Sequence, residues 1–277
     1  MTTNPTPPAA LARERVRHPL TVRRLRVLRR ARLSARMLRL TVGGEELAGF
    51  AAEGPEDHVK LFVPDPVTGE LHVPEAGPDG LVRPAVPPTV RDYTPRAVRP
   101  GELDLDVVLH DDRGAVSRWA GDARPGDELA VGGPRGSVLP PAGADHLLLG
   151  GDETALPALA RWLELAPAGT PADVLVEVSD PADEAYLAPR PEHTVRYLRR
   201  GNAAPGTTTL LADAVRALPP RDGVGYAWFA GEAGSLVPVR RWLRASGYRN
   251  NVKVDGYWKR GVVALDHHAP IDPDDAG

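Results

Sequence analysis

At Pro140-Pro141 the chain changes rhythm, and that change restricts its fold more than any other feature. Before it, short apolar runs alternate with Gly and Pro; the candidates for strands are 21–29, 35–42, 58–63, 89–93, 103–109 and 128–131. Strands this short and this often interrupted predict an antiparallel barrel. In 35–42, Met37, Leu38, Leu40 and Val42 are broken by Arg39 and Thr41, so one face can be wet. One helix is predicted near Ala115 to Ala120. After Pro141 the order becomes strand then helix: strands at 146–150, 174–178, 226–230 and 252–258, helices at 155–164, 208–218 and 235–245. Such alternation predicts a parallel sheet with crossovers. The fold class expected is therefore a barrel of antiparallel strands followed by an α/β domain, at 18–141 and 142–262. A flexible leader, 1–17, and a disordered acidic tail, 263–277, are expected to flank them.

Composition narrows the function. At 277 residues both domains can bury a core. The net charge of -3 gives no global basic field for nucleic acid, so any anionic partner is met locally. Without cysteine there is no disulfide, thiolate metal site, iron–sulfur cluster or Cys nucleophile. If electrons move here, an organic cofactor carries them. No apolar stretch is long enough to span a membrane, and Met1 to Ala10 has no apolar signal region, so a cytoplasmic protein without membrane partners is expected.

Arg91-Asp92-Tyr93-Thr94-Pro95-Arg96 closes one predicted strand. It offers a guanidinium to a diphosphate, a phenol to a planar ring and a hydroxyl to hydrogen-bond that ring, which are the needs of a bound flavin. About twenty residues on, after a strand ending at His110, Gly114-Ala115-Val116-Ser117 offers backbone N–H groups to the same phosphates. In the second half, Gly151-Asp152-Glu153-Thr154 sits where a nucleotide-binding turn belongs. Its glycine lets the backbone approach a pyrophosphate and Thr154 can donate to it, while Asp152 and Glu153 suit a helix N-terminus. Gly231-Glu232-Ala233-Gly234 follows a later strand and is placed for the nicotinamide end. Asp180, at the end of the second strand, favours a free ribose hydroxyl and hence leans slightly to NADH over NADPH. Arg190, Arg196, Arg199 and Arg200 downstream are within sequence reach of a 2′-phosphate. Ser117 and Ser137 have no His–Asp arrangement nearby in sequence, so no covalent nucleophile is expected.

Several segments resemble the siderophore-interacting protein family, FAD-dependent and NAD(P)H-linked ferric-siderophore reductases of the ferredoxin reductase superfamily. They are Asp57-His58-Val59-Lys60-Leu61-Phe62-Val63-Pro64, the Arg91–Arg96 motif, Gly133-Pro134-Arg135-Gly136-Ser137, Gly151 to Ala158, Ala230 to Gly234, and Gly256-Tyr257-Trp258-Lys259-Arg260-Gly261. The resemblance runs in family order over about residues 20–262 and departs at Asp111-Asp112-Arg113, where two acids flank the phosphate turn. It implies Arg91 on the FAD diphosphate, Tyr93 against the flavin and Thr94 near N5, with His110 and the 114–117 turn beside them. It also implies Lys60, Arg135, Lys259 and Arg260 around an anionic ferric siderophore. The chemistry implied is hydride transfer from nicotinamide to flavin, then single-electron steps to iron(III), which hard siderophore oxygens hold better than iron(II); no permanent metal site is required. A ferredoxin as donor, another flavin or electron-carrier reductase of the superfamily, and a non-catalytic siderophore-binding flavoprotein are the alternatives.

Overall fold

Alternation of apolar and charged residues builds the first half as a rolled sheet. The computed structural model describes residues 10–77, 80–109, 114–262, 265 and 271–272, and the chain divides into two units, Arg15–Leu139 and a second that joins Pro140 onward with the segment before Arg15. In the first unit the strands are β1 (Arg15–Arg17), β2 (Val22–Arg32), β3 (Met37–Gly43), β4 (Val59–Val63), β5 (Glu75–Gly77), β6 (Gly80–Val82), β7 (Thr89–Tyr93), β8 (Pro95–Arg99) and β9 (Glu102–Val108). Helix α1 (Ala115–Asp122), β10 (Glu128–Gly132) and β11 (Gly136–Val138) complete it.

Among the described residues the main sheet is antiparallel in the order β7-β4-β10-β2-β3-β9-β8. Its two edge strands, β7 and β8, are consecutive in the chain and joined by Thr94 alone, so the sheet has to curl until its edges meet at that residue. Leu25, Val27, Leu40, Val42, Leu61, Leu105 and Leu129 fill the inside, and Val116 and Ala120 of α1 pack into the same core. Each such side chain contributes about 1.5–3 kcal/mol by burial. The opposite face carries charge: Arg39 reaches Asp106 at 2.7 Å, Arg99 reaches Asp104 at 2.8 Å, and Glu102 takes both Arg29 and Arg99.

All the predicted strands are present. In this unit the strands that the sequence did not announce are short: β8, β11, the β5–β6 hairpin, and β1, which pairs with β11 and so corrects the expected leader. Arg15–Arg17 takes up a strand because Gly136, opposite Arg17, has no side chain; a Cβ there would stand 2.5 Å from the Val16 carbonyl oxygen.

The second unit follows β12 (His146–Gly151), α2 (Leu156–Leu165), β13 (Ala172–Val178), β14 (His193–Arg199), α3 (Leu210–Arg216), β15 (Gly225–Glu232), α4 (Ala233–Ala245) and β16 (Val252–Trp258). Its sheet is parallel, in the order β14-β13-β12-β15-β16. The order reverses at β12, so a crevice opens where the chain leaves β12 and β15 in opposite directions. Phe229, Leu148 and Leu175 pack with α3 and α4 on one face, while Trp228 meets Trp162 of α2 at 6.1 Å. β14 escaped prediction because His-Thr-Val-Arg-Tyr-Leu-Arg is charged, as an edge strand is free to be.

Both ends of the chain depart from expectation where they are described. Leu11 N–H donates to Asn251 at 2.7 Å, and Arg13 donates to the Tyr226 hydroxyl at 2.8 Å while lying over the Trp162 ring. Within the expected acidic tail, Asp272 is buried and takes a bidentate bond from Arg241, beside Ile271 on the α4 core. A guanidinium partner makes an anchor of each.

Candidate functional site

β7 delivers the Arg-x-Tyr-Thr motif. Arg91 and Tyr93 lie opposite Leu61 and Val59 of β4, so they share the face that carries the barrel core. Burial pushes the Tyr93 phenol above its ordinary range, although Arg91 pulls the other way. Thr94 is 7% exposed. Among the described residues its hydroxyl has no hydrogen-bond partner and Arg91 has no carboxylate partner; the guanidinium's bond runs to the Val90 carbonyl at 2.7 Å.

Helix α1 packs against β7. It starts at Gly114, which is exposed and supplies no side-chain cap, so the first-turn amides are left for another acceptor. Only backbone is on offer there: Val116 is core, and the Ser117 hydroxyl donates to the Val108 carbonyl at 3.1 Å. His110 lies outside the described residues, as do Asp111, Asp112 and Arg113. A guanidinium without a carboxylate, a hydroxyl without a partner among the described residues, a half-buried phenol and an uncapped helix start are the donors that a flavin diphosphate and ring require, so these residues fit FAD.

The turns of the second unit behave differently, and here the phosphate reading is corrected. Gly151 is required by the sheet: a Cβ would lie 2.0 Å from the Ala230 carbonyl oxygen. Gly231 makes room for a carboxylate, since its Cβ would meet Asp152 Oδ2 at 2.7 Å. Asp152 Oδ1 accepts from the Thr154 N–H at 2.9 Å and from the Thr154 hydroxyl, so that hydroxyl's proton is held inside the turn and is not offered to a pyrophosphate. Asp152 Oδ2 accepts from the Glu232 N–H and the Trp258 indole N–H, both at 2.9 Å. Burial, then the neighbouring Glu153 charge, push the Asp152 carboxyl up to about 6 against the pull of these donors. Glu153 forms a buried bidentate pair with Arg200 and accepts from Ser179 N–H and Oγ, both at 3.1 Å. Glu232 caps α4 by accepting from the Ser235 N–H at 2.6 Å, and Ala233 is buried at the helix start. Asp180 sits after β13 as expected, but its Oδ1 accepts from the Ala182 N–H at 2.9 Å and so caps its own turn. The acids of these motifs brace the loops at the carboxyl edge of the sheet.

Of the four basic residues expected at the substrate, Arg135, Lys259 and Arg260 are exposed and have no carboxylate partner among the described residues. Lys60, on the opposite face of the β4–β7 pair from Tyr93, is matched with Asp92 at 3.0 Å. Of the downstream arginines, Arg200 is in the buried pair, Arg199 meets Glu184 and Arg190 meets Glu192.

Ser137 was missed. It does have a His and an Asp beside it: its hydroxyl donates to Asp57 at 2.5 Å, accepts from the Glu53 N–H at 3.0 Å and meets His18 Nε2 at 2.8 Å. The order is not that of a nucleophile, whose base is itself oriented by the acid, and Ser137 is 1% exposed. The trio latches β1 onto β11. Residues 80 and 119 positions apart have no short-range signal.

A curled antiparallel sheet followed by a parallel sheet that reverses order at its first strand is a fold shared with the ferredoxin reductase in carbazole 1,9a-dioxygenase, which superposes with a TM-score of 0.61 at 18% identity, covering 87% of this chain and 70% of that one. Residues 26–138 match the model of the siderophore-interacting FAD-binding domain and residues 144–261 that of the siderophore-interacting protein. The chain belongs to the siderophore-interacting protein family. It is 37% identical over 252 residues to the NADPH-dependent ferric-chelate reductase of Escherichia coli (strain K12), covering 88% of this chain and 96% of that one. It is 33% identical to the ferric vibriobactin reductase ViuB of Vibrio cholerae serotype O1, over 89% and 92% of the two chains. A siderophore utilization protein from T. fusca superposes with a TM-score of 0.87 at 41% identity, covering 93% of this chain and 100% of that one.

Proposed function

We propose that this protein is an FAD-dependent reductase that takes electrons from a reduced nicotinamide dinucleotide and passes them to iron(III) held by an anionic siderophore. The observation that supports the reading is the end of β7, where, among the described residues, the Arg91 guanidinium has no carboxylate partner and the Thr94 hydroxyl has no hydrogen-bond partner, beside an uncapped helix. The names of the E. coli and Vibrio relatives, a ferric-chelate reductase and a ferric vibriobactin reductase, support the acceptor.

Bound FAD supplies what no side chain here can, the exchange of a two-electron donor for a one-electron acceptor. Arg91 would hold the diphosphate, with the backbone amides from Gly114 to Ser117 beside it. Tyr93 would exclude water from the ring, and the Thr94 hydroxyl would offer the ring a hydrogen bond. The dinucleotide is assigned to the crevice between the ends of β12 and β15, met by backbone more than by the carboxylates of Asp152, Glu153 and Glu232. The lean to NADH is not kept, because Asp180 caps its own turn and the E. coli relative is named for NADPH.

Exposed cations without ion-pair partners among the described residues attract an anionic chelate by charge: Arg135 in the first unit, Lys259 and Arg260 in the second. Lys60 is also open to an anion, because its exposed pair with Asp92 is worth only about 0–1 kcal/mol. The test is anaerobic. NADPH or NADH should bleach the flavin band near about 450 nm, and a ferric siderophore should restore it with release of iron(II), trapped by a ferrous chelator. Bleaching without iron(II) marks a reductase for another acceptor, a ferredoxin included; no bleaching marks a binding protein.

A further inference from the structure

Three family segments far apart in sequence form one unit at the carboxyl edge of the parallel sheet. Asp152, after β12, holds the Glu232 N–H at the end of β15 and the Trp258 indole at the end of β16 through the same Oδ2 atom, each at 2.9 Å. Glu232 in turn uses Oε2 for the Ser235 N–H at 2.6 Å and Oε1 for the Arg260 N–H at 3.1 Å. Two buried carboxylates, 7% and 4% exposed, therefore grip the segment Trp258–Arg260 at both of its ends. Beyond it the chain reverses in a tight turn, with the Val262 N–H bonded to the Lys259 carbonyl at 3.0 Å and Gly261 at φ +76°. The side chains of Lys259 and Arg260 are exposed at this turn and make no ion pair among the described residues.

We propose that Asp152 and Glu232 are positioning residues for the ferric chelate, acting by holding the Lys259–Arg260 turn. The inference rests on the assignment of Lys259 and Arg260 to an anionic substrate. Loops at strand ends are ordinarily the mobile part of an α/β fold. Two cations on a mobile loop bind a bulky anion weakly, because the loop must be ordered at the moment of binding; a loop ordered beforehand avoids that loss. The oxygens of both carboxylates are turned to N–H groups of the protein, so their part is to hold the turn and not to meet the anion. Their donors come from the turn after β12, the start of α4 and the end of β16, so substrate affinity is set by residues that touch no substrate.

The experiment is a double-mutant cycle on the holoprotein with the ferric tris-catecholate trianion as probe and neutral iron(III) tris-acetohydroxamate as control. Glu232→Gln keeps the volume but leaves one acceptor oxygen for two N–H groups. It is expected to weaken trianion binding about 3- to 10-fold, to move the neutral complex less, and to have no further effect once Lys259 and Arg260 are both alanine. Asp152→Asn is expected to weaken the trianion in the same coupled way and to shift Trp258 emission as the indole loses its acceptor. The inference is overturned if either replacement acts additively with the Lys259→Ala/Arg260→Ala pair, if the shift falls on the KM for NADPH alone, or if both variants fold and bind the trianion normally. A Lys259→Ala/Arg260→Ala protein that binds the trianion as well as the parent removes the substrate assignment itself, and this inference with it.

Discussion

Arg91 is the residue on which flavin binding should turn. Its neighbours on the inner face are apolar, and a guanidinium left without a carboxylate in such a place calls for an anion. Arg91→Ala should purify largely without FAD while its circular dichroism is unchanged. Each charge-assisted bond lost is worth about 1.5–3 kcal/mol, so the loss of even one should lower the affinity about 10- to 100-fold. Arg91→Lys should recover only part of that, because an ammonium cannot copy the fork. An Ala variant that keeps tightly bound flavin would move the diphosphate elsewhere. Asp152, Glu153 and Glu232 make the opposite point: residue type suggested a ligand contact, yet the hydrogen bonds recorded for their oxygens come from protein donors. Residue type is readable in a sequence; the direction a carboxylate faces is not.

The two sheets should respond to pH with opposite sign. On the outer face of β3, β8 and β9, hydrogen bonds from Arg29 and Arg99 hold Glu102 down at about 2. Burial opposes the ionisation of Asp104, but Arg99 and Thr41 outweigh it and keep its carboxyl below the ordinary range. Both are depressed relative to the unfolded chain, so the stability they contribute is complete above about pH 4.5 and is lost as the pH falls toward 2. Asp152 is raised from 3.8 to about 6, so the native α/β unit holds a proton that the unfolded chain has lost. Its contribution is full below pH 3.8 and disappears as the pH rises through 6, by about 3 kcal/mol. Urea unfolding followed from pH 3 to 8 should therefore show Glu102 and Asp104 lending the barrel stability that acid removes, and Asp152 lending the α/β unit stability that is lost toward neutrality, against the opposite pull of His146 and His193, which burial holds below the ordinary range. Asp152→Asn should flatten the second slope and Asp104→Asn the first. Equal slopes in parent and variants would assign the pH dependence to other groups.

For the molecule as a whole, a net charge of -3 means that the chelate is drawn by a few local cations rather than by the field of the protein. Raising salt from 0.1 to 1 M shortens the Debye length from about 10 to about 3 Å. Oxidation of the reduced flavin by an anionic ferric siderophore should slow severalfold over that range, and flavin reduction by NADPH much less, which stopped-flow measurements at several salt concentrations would compare. Equal slowing of both steps would mean that the bases take no part in capture. The antiparallel sheet of the first half and the parallel sheet of the second are legible without coordinates. They rest on periods of two and 3.6 residues and on contacts within one strand or turn, which a linear pattern records. Three features are not legible: the latch of His18 and Asp57 on Ser137, the grip of Asp152 on Trp258, and the burial of Asp272 under Arg241. Each joins residues 31 to 119 positions apart. Such pairs carry no periodicity, and only the packing of the folded strands decides which carboxylate faces a ligand and which is enclosed by the protein's own donors.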